Sequence, residues 1–587
     1  MPSSLVDGNS LLAIDVGAAS TRAVLFDVVE GEYRFVASGV APSTVEAPVK
    51  DVSEGARNAI TNLQTVVGRN LLDGSRNLIT PSQANGTGVD SLAVTLSAGP
   101  TIRAVVVGLL QDVSLESARR LTATTYARVV ESIGLNDLRK PDQQIDSILR
   151  LRPDLVVITG GTDGGASRSI QKMLEPIGLA SFLLPEEKRP SVLYAGNQKL
   201  ENEVKNLVGS LAASLHFTPN VRPSLETEDL DPAGRELAHM LVDIRKRQLK
   251  GLDLLARWAG GHVLPTAYAT GRMVRFLAKV YGSKKGILSV DIGASAAVIS
   301  AGFQGTSTLN VFPQFGLGEN LPELLNYTTL EEILKWSSVD ISTGVLRDYL
   351  HQKSLYPSTI AATSEDLAIS QSVTRQALFL AMQSARRGFP RNIAQIKPTL
   401  TPLFEPIIAG GGALSDASRS GQSLLLLLDS IQPVGITTVI LDQNNLLPML
   451  GAAAAQNNVL PVQVMESGAF LSVGTVVSPV VSASFGAPIL RAKLTYENGT
   501  EARVDLKYGA IETLPLRSGE VGRLTIRLLR GADIGFGPGR AAREGFSVAG
   551  GALGLVLDGR GRPLNLPVDG ALRRELIKKW NWSLGGE

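Results

Sequence analysis

A strand, a turn of small residues and a second strand form the feature near the start of this chain around which the rest is organised. The segment runs from Leu11 to Phe26, with Asp15 ending the first strand and Gly17 opening the turn. Small side chains leave the backbone N–H groups of such a turn open to an anion, and a neighbouring carboxylate can hold hydrated Mg²⁺ against it. The hairpin therefore predicts a site for a metal-bound anion, although single Asp-x-Gly turns also occur in ordinary hairpins.

The same pattern occurs a second time, which argues against an ordinary turn. Residues 286–300 again read as apolar strand, Asp-x-Gly, small residues and apolar strand, with Asp291 and Gly293 in the places of Asp15 and Gly17. A third element, residues 406–415, is an apolar strand that enters a turn of three consecutive glycines. The chain thus predicts two related anion-binding hairpins and a later glycine turn.

Two Asp-x-Gly hairpins followed by a glycine turn resemble the phosphate-1, phosphate-2 and adenosine motifs of the actin, sugar kinase and Hsp70 ATPase superfamily. The resemblance implies an α/β fold of two lobes, the actin-like ATPase or ribonuclease H-like fold, which closes on ATP or ADP with Mg²⁺. It implies that Asp15 and Asp291 are on the metal side of the nucleotide. The nucleotide-binding residues that it implies are Asp15, Gly17, Ser20, Thr21, Arg22, Asp291, Gly293, Ser295, Gly410, Gly411 and Gly412.

The order of predicted strands and helices divides the chain into four segments. Residues 1–102 hold the first part of lobe I, and residues 216–460 hold a helical linker and lobe II. Between them, residues 103–215 alternate strand and helix, which is typical of an inserted or extended parallel α/β segment. Residues 461–587, rich in β-branched residues and turns, predict a C-terminal β-rich module with a terminal helix.

Three further elements follow from periodicity and turn signals. Leu115 to Ile133 is expected to be helical, and Asp231 to Trp258 is expected to be one long amphipathic helix. An Asn-Gly turn at residues 498–499, between two strand-like runs, predicts a β-hairpin.

The inserted segment contains a glycine-rich turn with one carboxylate. Residues 160–165 read Gly-Gly-Thr-Asp-Gly-Gly after a buried strand, and such turns lie at the carboxyl ends of parallel strands, where ligands bind. Asp163 is the candidate catalytic residue, because it could orient an attacking water as a general base. Two alternatives stay open: it caps the following helix, or it belongs to a lobe that binds a partner or ligand.

Four segments carry a narrower resemblance, to the glutamate mutase accessory family called MutL. The segments are Ser97–Arg103 with Val107–Leu109, Ile158–Gly165, Tyr194–Asn197 and Asn220–Pro223. The resemblance covers residues 10–460, and the C-terminal module lies outside it. It implies an ATPase-fold accessory protein or reactivating chaperone for an adenosylcobalamin-dependent mutase. This mutase would need ATP-driven opening to release damaged cobalamin.

The motifs depart from the family pattern where hydroxyl groups are expected. In the second turn, Gly293 is followed by Ala294, Ser295, Ala296 and Ala297, so hydroxyls that would contact phosphate or metal are missing. In the first turn Ala18 stands where Ser or Thr is usual, and Arg22 replaces Lys. These departures favour nucleotide binding with at most a weak ATPase activity.

Composition excludes several classes of function. With 57 basic and 55 acidic residues the net charge is +2, which does not indicate a nucleic-acid partner. Zero cysteines exclude thiol catalysis and cysteine-ligated metals. The longest apolar run is too short for a membrane span, and residues 1–8 lack the features of a signal peptide. We therefore expect a cytoplasmic protein.

Two alternative functions stay open from sequence. One is an actin-like scaffold or assembly protein that uses nucleotide only to set its conformation, without a mutase partner. The other is a small-molecule kinase, which would need an aspartate base such as Asp163. The partners left open are another protein, among them a cobalamin-dependent mutase, and a further copy of the chain.

Overall fold

The computed structural model of the protein describes residues 8–165, 167–282, 284–415, 417, 419–541 and 545–586. Residues 1–7, on which the signal-peptide expectation mainly rests, lie outside the described residues. Within the described ranges, no helix combines the length and apolar character needed to cross a bilayer.

The secondary structure follows the chain in five parts. The first part of lobe I contains β1 Leu11–Val16, β2 Ser20–Val29, β3 Glu32–Pro42, α1 Val52–Val67 and β4 Ser91–Leu96. The inserted segment contains β5 Ile102–Val107, α2 Ser114–Thr122, β6 Ala127–Ile133, α3 Pro141–Leu151, β7 Leu155–Ile158, α4 Ser167–Leu183, β8 Ser191–Tyr194, α5 Glu201–Val208 and β9 Ser214–Phe217. The chain returns to lobe I through α6 Asp231–Gln248, α7 Leu252–Trp258, β10 Val263–Pro265 and α8 Thr266–Tyr281.

Lobe II and the C-terminal part complete the list. Lobe II contains β11 Gly286–Ile292, β12 Ala297–Phe303, β13 Thr306–Phe312, α9 Leu330–Leu334, α10 Thr343–Leu355, α11 Ser364–Arg386, β14 Phe404–Gly410, α12 Gly412–Ser415, α13 Ser420–Ser430, β15 Gly435–Leu441, α14 Leu446–Ala453 and α15 Val459–Glu466. The last part contains β16 Leu471–Ser478, β17 Pro488–Tyr496, β18 Glu501–Lys507, β19 Ile511–Leu514, β20 Val521–Leu528, β21 Phe546–Ala549, β22 Leu555–Asp558 and α16 Gly570–Ser583.

The two lobes have the same strand order. In lobe I the order is β3-β2-β1-β4-β10, and in lobe II it is β13-β12-β11-β14-β15. In both, the first three strands pair antiparallel, and the fourth and fifth run parallel to the first. This repeated mixed sheet confirms the predicted two-lobed actin-like fold.

The inserted segment forms a separate sheet of five parallel strands in the order β6-β5-β7-β8-β9. The predicted helix from Leu115 to Ile133 is wrong in its second half, because residues 127–133 form β6 and pair with β5. Tertiary pairing overrides the local helical pattern there. The core of this segment also includes Val298 and Val311 of lobe II, so it packs against the second hairpin.

The predicted helix from Asp231 to Trp258 is wrong in being continuous, since α6 ends at Gln248 and α7 begins at Leu252. The interruption packs against the start of α1, where the carbonyl of Lys250 accepts a 3.0 Å hydrogen bond from the Val52 amide. The chain thus turns so that α7 also covers the lobe I core.

The strands after residue 470 are divided between two sheets. β16, β22 and β19 extend the lobe II sheet beyond β15, whereas β18, β17, β20 and β21 form a separate antiparallel sheet. The Asn-Gly prediction is confirmed, because β17 and β18 pair as a hairpin around residues 498–499.

The lobes meet where α8 and α14 cross. A Cβ atom added to Gly451 of α14 would lie 2.1 Å from the carbonyl oxygen of Ala269 in α8. Only a residue without a side chain allows this approach. The surrounding core contains residues from both sheets, including Ala13 and Ile408.

Candidate functional site

The two Asp-x-Gly turns have the same backbone geometry. The amide of Gly17 donates a 3.0 Å hydrogen bond to the carbonyl of Ser20, and the amide of Gly293 donates a 3.1 Å bond to the carbonyl of Ala296. Asp15 and Asp291 each lie two residues before these glycines, on the central strand of their lobe. The two repeated sequence motifs therefore have the same local structure.

Asp15 is buried and holds three side-chain donors. Its Oδ1 accepts bonds from the hydroxyls of Thr95 at 2.6 Å and Thr266 at 2.9 Å. Its Oδ2 accepts a 2.8 Å bond from Nδ2 of Asn445 in lobe II. Burial raises the pKa of Asp15, while these hydrogen bonds and the charge of Arg22 oppose the rise.

Asp291 lacks the side-chain hydrogen bonds that Asp15 accepts. Burial, followed by the charges of Asp15 and Asp442, raises the pKa of Asp291 to about 7. In the described chain no hydrogen-bond donor reaches its carboxylate. Asp442 differs, because the amides of Leu446 and Leu447 at the start of α14 donate to it at 2.8 and 2.7 Å. Burial nevertheless raises the pKa of Asp442 to about 6.

The loop after β15, residues 442–445, bridges the lobes, and we call it the cross-lobe loop. Nη1 of Arg22 donates a 2.8 Å bond to the carbonyl oxygen of Gln443. The hydroxyl of Ser38 donates a 3.0 Å bond to Asn444, and Asn445 binds Asp15. The first hairpin is therefore tied to lobe II by side chains as well as by the crossing helices.

The glycine turn after β14 lies against the second hairpin. Gly411 has φ +88°, and a Cβ atom on it would lie 2.4 Å from the carbonyl oxygen of Ile292. A Cβ atom on Gly410 would lie 3.4 Å from Oδ2 of Asp291. Gly412 is exposed and begins the short helix α12. The second and third motifs thus form one continuous surface beside Asp291.

The remaining sequence-predicted residues take different positions. Ser20 is exposed at the start of β2, and its neighbour Thr21 is buried. A Cβ atom on Gly55 of α1 would lie 3.1 Å from the Thr21 hydroxyl, so this hydroxyl points toward α1. Gly293 and Ser295 lie in the second turn, which is covered by residues 316–318 through the bond from the Leu317 amide to the Gly293 carbonyl.

Two buried polar atoms of lobe II, one in the second turn and one on the residue that binds Asp15, suit a metal-bound polyphosphate. The buried Oγ of Ser295 and Oδ1 of Asn445 have no hydrogen-bond partner in the described chain. Among the residues that the structure describes, no three His, Cys, Asp or Glu side chains are grouped as a metal ion would need. Mg²⁺ commonly binds one or two carboxylates together with water and phosphate oxygens. The residues present therefore fit Mg²⁺ that arrives with a nucleotide.

Asp163 is not brought together with the two hairpins. It is exposed after β7, and its Oδ1 accepts a 3.0 Å bond from Nδ2 of Asn220 and a 3.4 Å bond from the amide of Gln198. Its own amide donates to the carbonyl of Pro223. These contacts hold the loop at residues 219–223 against the inserted segment.

Sequence reasoning missed Thr95, Thr266, Asp442, Asn445 and Tyr126. Burial and the charges of Asp291 and Asp15 raise the pKa of the Tyr126 phenol, whose oxygen accepts a 3.2 Å hydrogen bond from the amide of Ala267, next to Thr266. The polar run at residues 442–445, directly after an apolar strand, was the available signal, because polar residues at strand ends often gather at one edge.

The chain matches a known protein family. The model of the family described as MutL protein matches residues 11–468. A curated relative, protein MutL from Clostridium tetanomorphum, is 22% identical over 369 residues, which are 57% of this chain and 75% of the relative.

Two solved structures are also similar. The nucleotide-free diol dehydratase-reactivating factor is 12% identical with a TM-score of 0.29, covering 78% of this chain and 99% of that one. Ethanolamine utilization protein EutJ from Carboxydothermus hydrogenoformans is 10% identical with a TM-score of 0.27, covering 76% and 90%. These TM-scores are too low to support an inference, so the fold is assigned from strand order.

Proposed function

We propose a nucleotide-dependent accessory function for this chain, which belongs to the MutL protein family. Its central cleft binds Mg²⁺-ATP or Mg²⁺-ADP, and nucleotide sets the relative position of the lobes. The partner is an adenosylcobalamin-dependent mutase of the glutamate mutase type, from which the protein releases damaged cobalamin. The protein acts in the cytoplasm.

One observation carries the nucleotide part of the proposal. Asp15 and Asp291 occupy matching positions in two lobes of the same topology, and the charge of Asp15 adds to burial in raising the pKa of Asp291. Two repelling carboxylates are costly unless a proton or a cation lies between them. Mg²⁺ would neutralise this charge and the charge of the phosphates.

Residues of both lobes would bind and orient the Mg²⁺-nucleotide. Asp15, fixed by Thr95 and Thr266, gives lobe I a carboxylate that cannot swing away. Ser295 gives lobe II a buried hydroxyl that lacks a partner in the described chain. Gly410 leaves room beside Asp291, because a Cβ atom at this position would lie 3.4 Å from Oδ2 of Asp291. A ligand that contacts both lobes favours their closed arrangement in proportion to its differential affinity.

Titration calorimetry with Mg²⁺-ATP tests the nucleotide site. The wild-type protein should bind, and Asp291→Ala should weaken binding at least tenfold, because it removes the metal-side carboxylate of lobe II. Asp112→Ala, on an exposed turn, is the control with unchanged affinity. Absence of adenine-nucleotide binding at millimolar concentration, or wild-type affinity in Asp291→Ala, would contradict the proposal.

The partner is tested with a glutamate mutase that holds inactive hydroxocobalamin. We expect the protein with Mg²⁺-ATP to release this cobalamin, and Asp291→Ala to leave it bound. If wild type releases none while still binding nucleotide, the mutase assignment fails and the nucleotide site stands. Light scattering that rises on ATP addition would instead favour the scaffold alternative.

A further inference from the structure

A second cavity, of about 590 Å³, lies between α6, the start of β10, α8 and the end of α14. Asp15, Asp291 and Asp442, the carboxylates of the proposed nucleotide site, do not line it. Its arginine, lysine and histidine lining consists of Arg235, His239, His262, Arg272, Arg275 and Lys279, and no aspartate or glutamate lines it. Because the whole chain has nearly equal numbers of basic and acidic residues, this one-sided lining is a local feature.

Most of this positive charge is not compensated by the protein. Arg275 pairs with Asp231 at 2.7 Å. Within the described residues, Arg235, Arg272 and Lys279 form no ion pair and no side-chain hydrogen bond. Three cationic groups that converge on one cavity generate a positive potential, which attracts anions.

The arrangement of α8 gives the cavity an aromatic wall as well as a cationic one. Tyr268, Arg272, Arg275, Phe276 and Lys279 recur at spacings of three and four residues, so they share one face of the helix. Phe276 is 37% exposed although it is aromatic. A cavity of this volume lies in the range of small-molecule sites, about 300–1,000 Å³, and apolar side chains such as Val263 and Leu264 line it beside the cationic ones.

We propose that this cavity binds a phosphorylated small molecule. Arg235, Arg272 and Lys279 hold the phosphate, since guanidinium and ammonium groups form charge-assisted hydrogen bonds to its oxygens. Tyr268 and Phe276 contact the organic part. The site is separate from the proposed nucleotide cleft and does not depend on it. Because its wall includes α8 and α14, which cross between the lobes, the ligand would contact both connecting helices.

Titration calorimetry of the full chain with inorganic pyrophosphate, in EDTA, tests the charged half of the site. EDTA removes the divalent cations that the cleft carboxylates would need to bind this probe. Arg272→Gln/Lys279→Gln should raise the dissociation constant at least tenfold. The control Lys507→Gln/Arg527→Gln removes the same charges from exposed strands of the separate C-terminal sheet and should bind as wild type.

The cleft variant Asp291→Ala separates the two sites. Its pyrophosphate affinity in EDTA should equal that of wild type even if its Mg²⁺-ATP affinity falls. The proposal is overturned if wild type binds no pyrophosphate at millimolar concentration, or if the α8 double variant and its control bind alike. Thermal melting of both double variants checks that they are folded.

Phenyl phosphate and orthophosphate test the aromatic half. Phenyl phosphate should bind more tightly to wild type, and Phe276→Ala should remove the difference without changing orthophosphate affinity. Equal affinities of the two probes for wild type would overturn the assignment of an organic ligand.

Discussion

Asn445 of lobe II donates a 2.8 Å hydrogen bond to the carboxylate of Asp15 in lobe I, across 430 residues of sequence. Oδ1 of the same asparagine is buried and has no hydrogen-bond partner among the described residues. One side chain therefore joins the lobes through its amide group and leaves an acceptor where a cation or a donor would be favourable. Its position makes the cleft sensitive to a single substitution.

Asn445→Ala should loosen the contact between the lobes. Loss of a hydrogen bond to a buried charged group costs about 1.5–3 kcal/mol. We expect a lower melting temperature and faster amide hydrogen exchange in β1 and α14. Asn77→Ala, on an exposed loop, should change neither. Exchange rates equal to wild type in both elements would mean that the helix crossing alone holds the lobes.

Asp291→Asn should stabilise the nucleotide-free protein in a defined pH window. The carboxyl pKa rises from its ordinary 3.8 to about 7 on folding, so between these values the unfolded chain loses this proton and the folded chain keeps it. Wild-type stability therefore falls as pH rises through the window, and the full penalty applies above pH 7. The asparagine variant does not have this penalty.

Melting curves between pH 4 and pH 8, without nucleotide or divalent cations, measure this effect. The melting temperature of Asp291→Asn relative to wild type should rise with pH and level off above about 7. For the control Asp112→Asn, the difference in melting temperature from wild type should not change with pH. A difference that shrinks with rising pH would contradict a pKa of Asp291 that is raised by burial and by the neighbouring carboxylates.

The fold was predictable where its signals are local. The two hairpins are continuous stretches, and each brings its own turn and both strands, so the repeat could be seen without tertiary information. The predicted helix that included residues 127–133 failed because this segment pairs with β5. Whether such an amphipathic segment becomes a strand or a helix depends on the element that pairs with it, and a single sequence does not identify that element.

The site divides in the same way. Asp15 and Asp291 stand in recognisable motifs, and the structure brings their charges together. The Asn445 contact joins elements that have no common motif, so it follows only from how the lobes are packed. Thr21 shows the reverse case, because its place in the motif does not reveal that its hydroxyl points toward α1.

Asp558→Asn should destabilise the attachment of the C-terminal part to lobe II. Asp558 is fully buried and pairs with Arg560 at 2.9 Å and Arg562 at 2.6 Å, while Arg560 also reaches Asp429 of α13 at 2.5 Å. Removing one partner leaves buried charge uncompensated, at a cost of about 3–5 kcal/mol. Urea unfolding measures the loss.

An exposed ion pair provides the comparison. Asp505→Asn removes a contact 3.4 Å from Arg491 on the surface, and we expect less than about 1 kcal/mol. Burial alone would raise the pKa of Asp558, but Arg560 and Arg562 lower it. The stability that Asp558 contributes is therefore fully present above its ordinary pKa of 3.8 and is lost as the pH falls from there toward the lowered pKa of the folded protein. At low pH, Asp558→Asn and Asp505→Asn should therefore have similar free energies of unfolding.

Gly451→Ala should separate the connecting helices. The new methyl group would clash with the Ala269 carbonyl, and overpacking of this kind costs about 1–3 kcal/mol. Gly234→Ala is the matched control, because a Cβ atom at this helical position meets nothing within 4 Å. It should gain about 0.5–1 kcal/mol. If both variants gain stability, the helices adjust and the crossing is not a fixed constraint.

ATP hydrolysis by the isolated protein should be slow. Ala18, Ala296 and Ala297 supply no hydroxyl, and Ala296 is packed in the core shared with the inserted segment. Enzymes typically turn over about 10 times per second, and loss of one preorganised donor costs about 100-fold or more. We therefore expect at most about 0.1 turnovers per second. The rate is measured as phosphate release, and Asp15→Asn is the control for contaminating ATPases. A rate above about one per second that disappears in Asp15→Asn would mean that other groups, such as the buried Tyr126 phenol, replace the missing donors.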